Sequence, residues 1–366
     1  MNLKAGILAT FFFVVSFLIF GPAVITPDGR DQLAYAQADE YWDQHPVLLS
    51  RVYRLFILCG ASAQDTVHIQ ATLFWLSTSW MSVTSLAFAG LFVPVMPQSF
   101  FFTKDVWLTI VLVVVAVSIN SRNSKICTVL SGLLLGLTPG IRYNTLPLVL
   151  GLLFLFLLFR RKQRILFTCS VILGLFVFYA SNTAKKVIHE PEGARQLLSA
   201  RERLYDETYP NERKGSLFSE YVSHPTRAIS VESGRIWRWV SRPSTYTVIP
   251  DSDLVAGSVH ANSKKVRDAL AVWFAPSILT TPLLWFVVSL VALLVSKNLG
   301  AFIPLGYLLT LAIGLPYGIE HFRFILPSVV LSLYYIPLDQ YVLRLLRHFP
   351  YVWKYIQPMG TKKGGE

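Results

Sequence analysis

The sequence predicts an all-α polytopic membrane protein of about ten transmembrane helices, with juxtamembrane helices in its first outer loop and a mixed outer-loop insert. Three observations carry that prediction. Apolar runs with few charges recur along the chain, several of them near the roughly 20 residues a helix needs to cross a bilayer. Only 15% of the 366 residues are charged and 53% are hydrophobic, far from the balance of soluble domains. Basic residues also gather in alternate segments between the runs, as orientation in a membrane demands. A soluble enzyme, a disordered chain and a disulfide scaffold are thereby excluded, since the three cysteines form no framework.

The runs fall near residues 5–25, 66–88, 89–103, 106–119, 127–139, 144–159, 165–182, 274–295, 300–317 and 323–339. The first follows Lys4 and ends without a small-x-small cleavage site, so it reads as a retained helix rather than a signal peptide. No charge separates Asp65 from Lys104, and that stretch is divided into two spans at Gly90, Pro94 or Pro97. The division places Lys4, Arg122, Lys125, the Arg160–Arg164 run, Lys297 and the basic residues from Arg344 to Lys363 on one side. About 13 basic residues then face two acidic ones there, Asp339 and Glu366. A single helix over 66–103 would put both basic clusters outside.

Both termini are therefore expected in the cytoplasm, and short loops with a compact core suit a bacterial inner membrane. Residues 1–182 form an N-terminal membrane core carrying the first outer loop (26–65), residues 183–273 a large outer loop, 274–340 the C-terminal membrane helices and 341–366 a basic cytoplasmic tail. The net charge of +12 belongs to this topology. Neither outer segment carries a basic stripe, so nucleic acid is not an expected partner, whereas membrane lipids are.

The first outer loop concentrates candidate chemistry. Asp28 follows the first span by two or three residues and should sit at the membrane–water boundary, where a carboxylate can serve as general base. Pro27-Asp28-Gly29 reads equally as a turn capping the next helix. Asp31 and Asp43 are the other candidate catalytic carboxylates of the loop. Beyond His45-Pro46, the positions Val47, Leu48, Val52, Leu55 and Phe56 recur at helical spacing, with Arg51 and Arg54 on another face. That pattern suits an interfacial helix whose arginines either meet a lipid phosphate or simply reach for water.

Further outer ends carry Lys104-Asp105, read as an ion pair at the mouth of the fourth span, then Arg142-Tyr143-Asn144 and His321-Phe322-Arg323. Ionisable groups near membrane depth are functional candidates because their desolvation must be offset. Acids and arginines gathered on one side suit an anionic, lipid-linked substrate. No histidine has metal-ligand spacing, although Asp28, Asp43 and Asp105 could together offer oxygen ligands to Mg²⁺ or Mn²⁺. In the outer insert, Gly193–Arg203 and Leu217–Val222 read as helical. Its aromatic residues, Tyr205, Tyr209, Phe218, Tyr221, Trp237, Trp239 and Tyr246, read as a small core, as stacking faces for sugar rings, or (for the two tryptophans) as an interface contact.

An apolar first helix, an acid just beyond it and the run Tyr41-Trp42-Asp43-Gln44-His45-Pro46-Val47-Leu48 resemble the GT-C superfamily of membrane glycosyltransferases. Lys104-Asp105-Val106, Arg142-Tyr143-Asn144 and His321-Phe322-Arg323-Phe324-Ile325-Leu326-Pro327 resemble later segments of that family, over residues 1–180 and 275–340. Val47 stands where the family's second proline is usual, and Pro27-Asp28-Gly29 replaces its Asp-Glu pair, leaving the base open between Asp28 and Asp31. The resemblance implies inverting transfer of a sugar from a polyprenyl-phosphate donor to a hydroxyl on a glycan, lipid or protein acceptor at the periplasmic face. It implies Asp28 as base, with Arg142 and Arg323 stabilising the departing phosphate; with His45, Lys104, Asp105, Tyr143 and His321 of the matching segments, and Arg51 and Arg54 of the interfacial helix, they are the candidate substrate contacts. Two rival readings remain: a polysaccharide polymerase of the O-antigen type, and a transporter or flippase, which should carry charges or broken helices at the bilayer midplane.

Overall fold

The structure is a computed structural model that describes residues 3–20, 24–25, 27–42, 46–120, 124–159, 163–184, 187–188, 201–210, 212–213, 215–242, 273, 277–296, 298–314, 322–336 and 338–347. It is predominantly helical, as the sequence predicts. Helix α1 (Leu3–Phe20) is followed by β1 (Val24–Ile25), α2 (Pro27–Ala38), β2 (Tyr41–Trp42) and α3 (Val47–Leu58). Then come α4 (Ala63–Thr78), α5 (Val83–Phe92), α6 (Val95–Ser99), β3 (Phe101–Phe102) and α7 (Lys104–Asn120). Helices α8 (Lys125–Leu137), α9 (Leu146–Phe159) and α10 (Arg164–Thr183) lead to β4 (Val187–Ile188). The segment expected as the outer insert holds a group of three helices, the outer group: α11 (201–208), α12 (Leu217–Ser223) and α13 (Pro225–Ser241). The chain returns through α14 (Pro282–Ser296), α15 (Phe302–Gly314), α16 (Leu326–Tyr335) and α17 (Leu338–Arg347).

The helices run back and forth between two ends of one bundle. Phe12 stacks on Trp75 at 5.5 Å between ring centroids, and Phe17 meets His68 at 5.3 Å, so α4 descends beside α1. The chain then climbs again. The Thr84 amide donates to Asp339 at 3.0 Å near one end, Gly90 faces the ring of Phe12 midway, and Phe100 packs on Phe13 and Phe17 near the other. Helix α7 descends from Asp105 to Asn120, whose amide donates to the Tyr335 hydroxyl at 3.1 Å. One end of the bundle can thus be named for Asp105 and the other for Tyr335.

The two central helices are α7 and α16, buried over most of their surfaces, and such all-round apolarity is what a core helix requires. Helices α8 and α10 approach most closely. A Cβ at Gly136 would strike the Val171 carbonyl, and one at Gly174 would lie 2.5 Å from the Leu133 carbonyl, so backbone contact there needs glycine. Peripheral helices turn large apolar side chains outward, among them Ile7, Phe11 and Leu18 on α1 and Ile165, Ile172 and Phe176 on α10. Leu3–Phe20 and Arg164–Thr183 are each long and apolar enough to cross a membrane.

The break within the uncharged 66–103 stretch lies elsewhere than at Gly90 or Pro97. Helix α4 stops at Thr78, where the Thr78 and Ser79 hydroxyls donate to the Trp75 and Leu76 carbonyls at 2.8 and 2.6 Å. Ser82 then caps α5, accepting from the Ser85 amide at 3.1 Å. Hydroxyl competition with the helix ladder, rather than Gly or Pro, makes the turn. Pro94 does interrupt the ascending segment, and the expected helix over 89–103 is instead the last turn of α5, the short α6 and strand β3.

Candidate functional site

Three segments distant in sequence meet at the Asp105 end. Asp105 opens α7 with 1% of its surface exposed, and the Thr103 hydroxyl accepts from the Val106 amide at 3.4 Å beside it. Arg142, 6% exposed, reaches in from beyond α8. That helix ends because Thr138 accepts both the Ile141 and Arg142 amides at 2.9 Å, which leaves Arg142 extended at φ −152°. The Arg142 guanidinium pairs with Asp105 Oδ1, donates from Nε to Asn144 Oδ1 at 3.0 Å and lies 4.5 Å over the Phe324 ring.

Arg323 comes from a helical turn just before α16, with Nε 4.0 Å from Asp105 Oδ2 and its guanidinium 5.1 Å from the same Phe324 ring. Oδ2 itself accepts no hydrogen bond. Tyr307 of α15 is fully buried, within electrostatic reach of Arg142, and its hydroxyl has no hydrogen-bond partner. Two guanidiniums therefore surround one carboxylate. Both guanidiniums lie in a desolvated setting, where charge-assisted contacts with anionic groups are strengthened.

The first outer loop is stitched to the same end. Strands β1 and β3 pair in parallel, Val24 with Phe101 and Ile25 with Phe102. Asp28 and Asp105 each stand three residues beyond that Ile25–Phe102 pair. The Tyr53 ring of α3 packs 4.6 Å from Phe102, and Gly140 closes against Leu48 of the same helix. Asp28 is the second residue of α2, and Pro27 opens that helix as proline favours. Asp31 lies on α2 with an exposed side chain. Asp43, His45 and His321 lie outside the described residues, as does Tyr246, and for Asp28 only the backbone is described.

The two loop arginines make contacts within the first loop. Arg54 donates to the carbonyls of Ala36 and Gln37 at 3.3 and 3.1 Å, closing the C-terminal end of α2. Arg51 lies 4.6 Å over the Tyr41 ring. Asp39, at φ 55°, turns the chain between α2 and β2 and accepts from the Tyr41 hydroxyl at 3.0 Å. Burial, then the Asp39 carboxylate, pushes that hydroxyl's pKa up. The buried side of α3 holds Val47, Leu49, Ser50 and Tyr53, while Leu55 is exposed, so the apolar face is rotated from the one expected. Tyr143 turns to α10, its hydroxyl donating to Asn182 at 3.4 Å, and Lys104 is half-buried beside Asp105.

The outer group has its own small core of Leu204, Tyr205, Leu217 and Val231, with Tyr209 and Tyr221 packed against it. Those tyrosines serve structure first. Trp239 meets Phe286 of α14 at 6.2 Å, whereas Phe218 and Trp237 are exposed. Glu232 accepts from Arg201, Tyr221 and Arg235 at 3.0, 3.0 and 2.7 Å. Burial pushes the Glu232 carboxyl up, but Arg235 and Arg201 outweigh it and hold the pKa below its usual value. Helix α12 matches the expected Leu217–Val222 segment; of Gly193–Arg203, residues 201–203 belong to α11 and 193–200 lie outside the described residues.

Asp105 does not suit a divalent cation, because two guanidiniums already surround it and would repel one. Among the described residues no three His, Cys, Asp or Glu side chains gather to hold a metal. Tyr307 and Arg235 escape sequence reasoning. A tyrosine inside the apolar run Gly306-Tyr307-Leu308-Leu309 has no local mark, while Arg235 is visible only as the i+3 neighbour of Glu232. Compared with family models, with curated proteins and with solved structures, the chain matches none.

Proposed function

We propose that this protein is an inverting membrane glycosyltransferase that moves a sugar from a polyprenyl-phosphate donor to an acceptor hydroxyl. The observation that carries the reading is the buried Asp105–Arg142–Arg323 cluster, which brings two guanidiniums from distant segments to one place, the donor type that suits the phosphate of a lipid-linked sugar. The β1–β3 pairing supports it further, because it fixes the backbone of Asp28 at the same end of the bundle. Asp28 takes the proton of the acceptor hydroxyl as its oxygen attacks the anomeric carbon. The bond from that carbon to the phosphate oxygen breaks, and the phosphate leaves with the electron pair toward Arg142 and Arg323.

The same reading gives ten passes through a bacterial inner membrane, both termini in the cytoplasm and the Asp105 end in the periplasm. The antiparallel course of α1, α4 and the α5–β3 segment supports that count, as do the outward apolar side chains of α1 and α10.

Mass spectrometry of cell-envelope glycans tests the proposal in wild type, a deletion strain and an Asp28→Asn strain expressing normally. Loss of one sugar per repeat in both mutants is the expected result. Full transfer by Asp28→Asn would remove that residue from the chemistry. Collapse of long polymer to single repeats would instead favour a polymerase, and unchanged glycans in all three strains would favour transport.

A further inference from the structure

We infer that Arg235, outside the anion cluster, is a positioning residue that lets the outer group set the geometry of that cluster through helix α15. The inference rests on the proposed function for its effect on a ligand, but not for its mechanical part.

Arg235 is 3% exposed and lies on α13. Its Nη2 donates to the Ala312 carbonyl at 2.6 Å, while its Nε donates to Glu232 at 2.7 Å. Helix α15 ends at Gly314, so the Ala312 carbonyl is among the last four, which lack a partner within the helix. A guanidinium is well suited there, both as donor and as a cation at the negative end of the helix. Glu232 fixes that guanidinium and is itself held by Arg201 of α11 and Tyr221 of α12. Three helices of the outer group thus converge on one carbonyl of the bundle.

What that carbonyl controls follows from its place in α15. The buried Tyr307 lies five residues earlier on the same helix, and that helix packs on the Tyr143–Thr145 turn directly after Arg142. Helix α15 is also tied to α16, which follows the Phe322–Phe324 turn of Arg323, through the buried Ser328 hydroxyl donating to the Pro304 carbonyl at 2.8 Å. The outer end of α15 therefore stands between the Arg235 clamp and both Arg142 and Arg323. Releasing the clamp frees that end to fray, which loosens the packing of α15 on α16 and on the Tyr143–Thr145 turn, the two elements next to Arg323 and Arg142. The Trp239–Phe286 contact holds α13 to α14 instead, so it does not substitute for the clamp on α15.

The test uses the full-length protein in nanodiscs, as wild type, Arg235→Gln, Arg235→Lys and Arg213→Gln. Arg213→Gln breaks half-exposed ion pairs with Asp206 and Glu202 inside the same outer group and is the control. Backbone hydrogen exchange is read at 308–314 and at 322–325. Arg235→Gln is expected to speed exchange about tenfold in both windows, the loss of one hydrogen bond to a charged group. Arg235→Lys should recover part of the protection, and Arg213→Gln should leave both windows unchanged.

Affinity for polyprenyl monophosphate, with polyprenol as control, is measured on the same samples. It should fall about tenfold in Arg235→Gln. Unchanged exchange at 322–325 in Arg235→Gln would overturn the inference whether or not the lipid binds. Faster exchange with unchanged affinity would overturn the coupling to the ligand. Should wild type fail to bind polyprenyl monophosphate while exchange responds as expected, the proposed function falls and the mechanical role of Arg235 stands. If Arg235→Gln does not fold, Arg235→Lys decides by the same two readings.

Discussion

Asp105 and Arg142 are 37 positions apart and form an ion pair at the Asp105 end of the bundle, with side-chain exposures of 1% and 7%. Each is held from a second direction, Asp105 by its place in the first turn of α7 and Arg142 by Asn144 and the Phe324 ring. Charges so deeply withdrawn from water are costly unless paired, and a second guanidinium, that of Arg323, stands 4.0 Å from the same carboxylate.

The pair gives a direct stability prediction. Arg142→Gln strands a buried carboxylate with only the more distant Arg323, and breaking a buried pair in this way costs about 3–5 kcal/mol. Combining it with Asp105→Asn should recover part of the loss, since neither residue then carries an uncompensated charge. Thermal melting of the purified variants checks both outcomes.

The two carboxylates of α2 should separate in activity assays. Asp28→Asn is expected to reduce transfer roughly 10²–10⁴-fold, the usual cost of neutralising a general base. Asp31 is exposed on the same helix, and Asp31→Asn should leave the rate within a few-fold of wild type. Initial rates with a fixed lipid-linked donor distinguish them, and the reverse order would move the base to Asp31.

Close packing of α8 on α10 predicts a steric failure at Gly174. Its substitution by leucine drives a side chain into the Leu133 carbonyl, backbone that cannot step aside. The expected loss is about 1–3 kcal/mol or more, read as a lower melting temperature. Gly151, where a Cβ would meet nothing within 4 Å, is the control position for the same substitution.

Acid should weaken the start of α4. The Ser62 hydroxyl and then the Ser62 amide, both donating to the Asp65 carboxylate, hold its pKa below the usual 3.8. A carboxyl depressed on folding contributes stability above its unfolded pKa, and that contribution is lost as pH falls through the folded value. Wild type should therefore melt above Asp65→Asn near neutral pH, with the gap closing below 3.8. A gap independent of pH would place the effect in packing rather than charge.

The helical class is legible in the sequence because apolar runs follow one physical rule, the matching of segment length to apolar thickness. The break at 79–82 is not, since it depends on whether Ser and Thr hydroxyls turn back on their own helix. Asp105, Arg142 and Arg323 stand out as isolated charges at the ends of apolar runs, and the structure brings those three together. Arg54 looks the same in sequence yet closes α2, because the carbonyls it meets are distant in the chain. Tyr307 and the Arg235–Ala312 bond are invisible for a like reason. Each depends on where a helix end lies in space, which no local pattern encodes.

The β1–β3 pairing also orders events in time. Residues 24–25 leave the ribosome well before 101–102, so the first outer loop cannot take its place until the chain has turned back through α4 and α5. Arg142 arrives later, and Arg323 only after α15 has been made. Assembly of the anion cluster is therefore a late step in the birth of the molecule, governed by contacts between distant parts of the chain. A nascent protein carries the Asp105 carboxylate without its second guanidinium until α16 is about to enter the bundle.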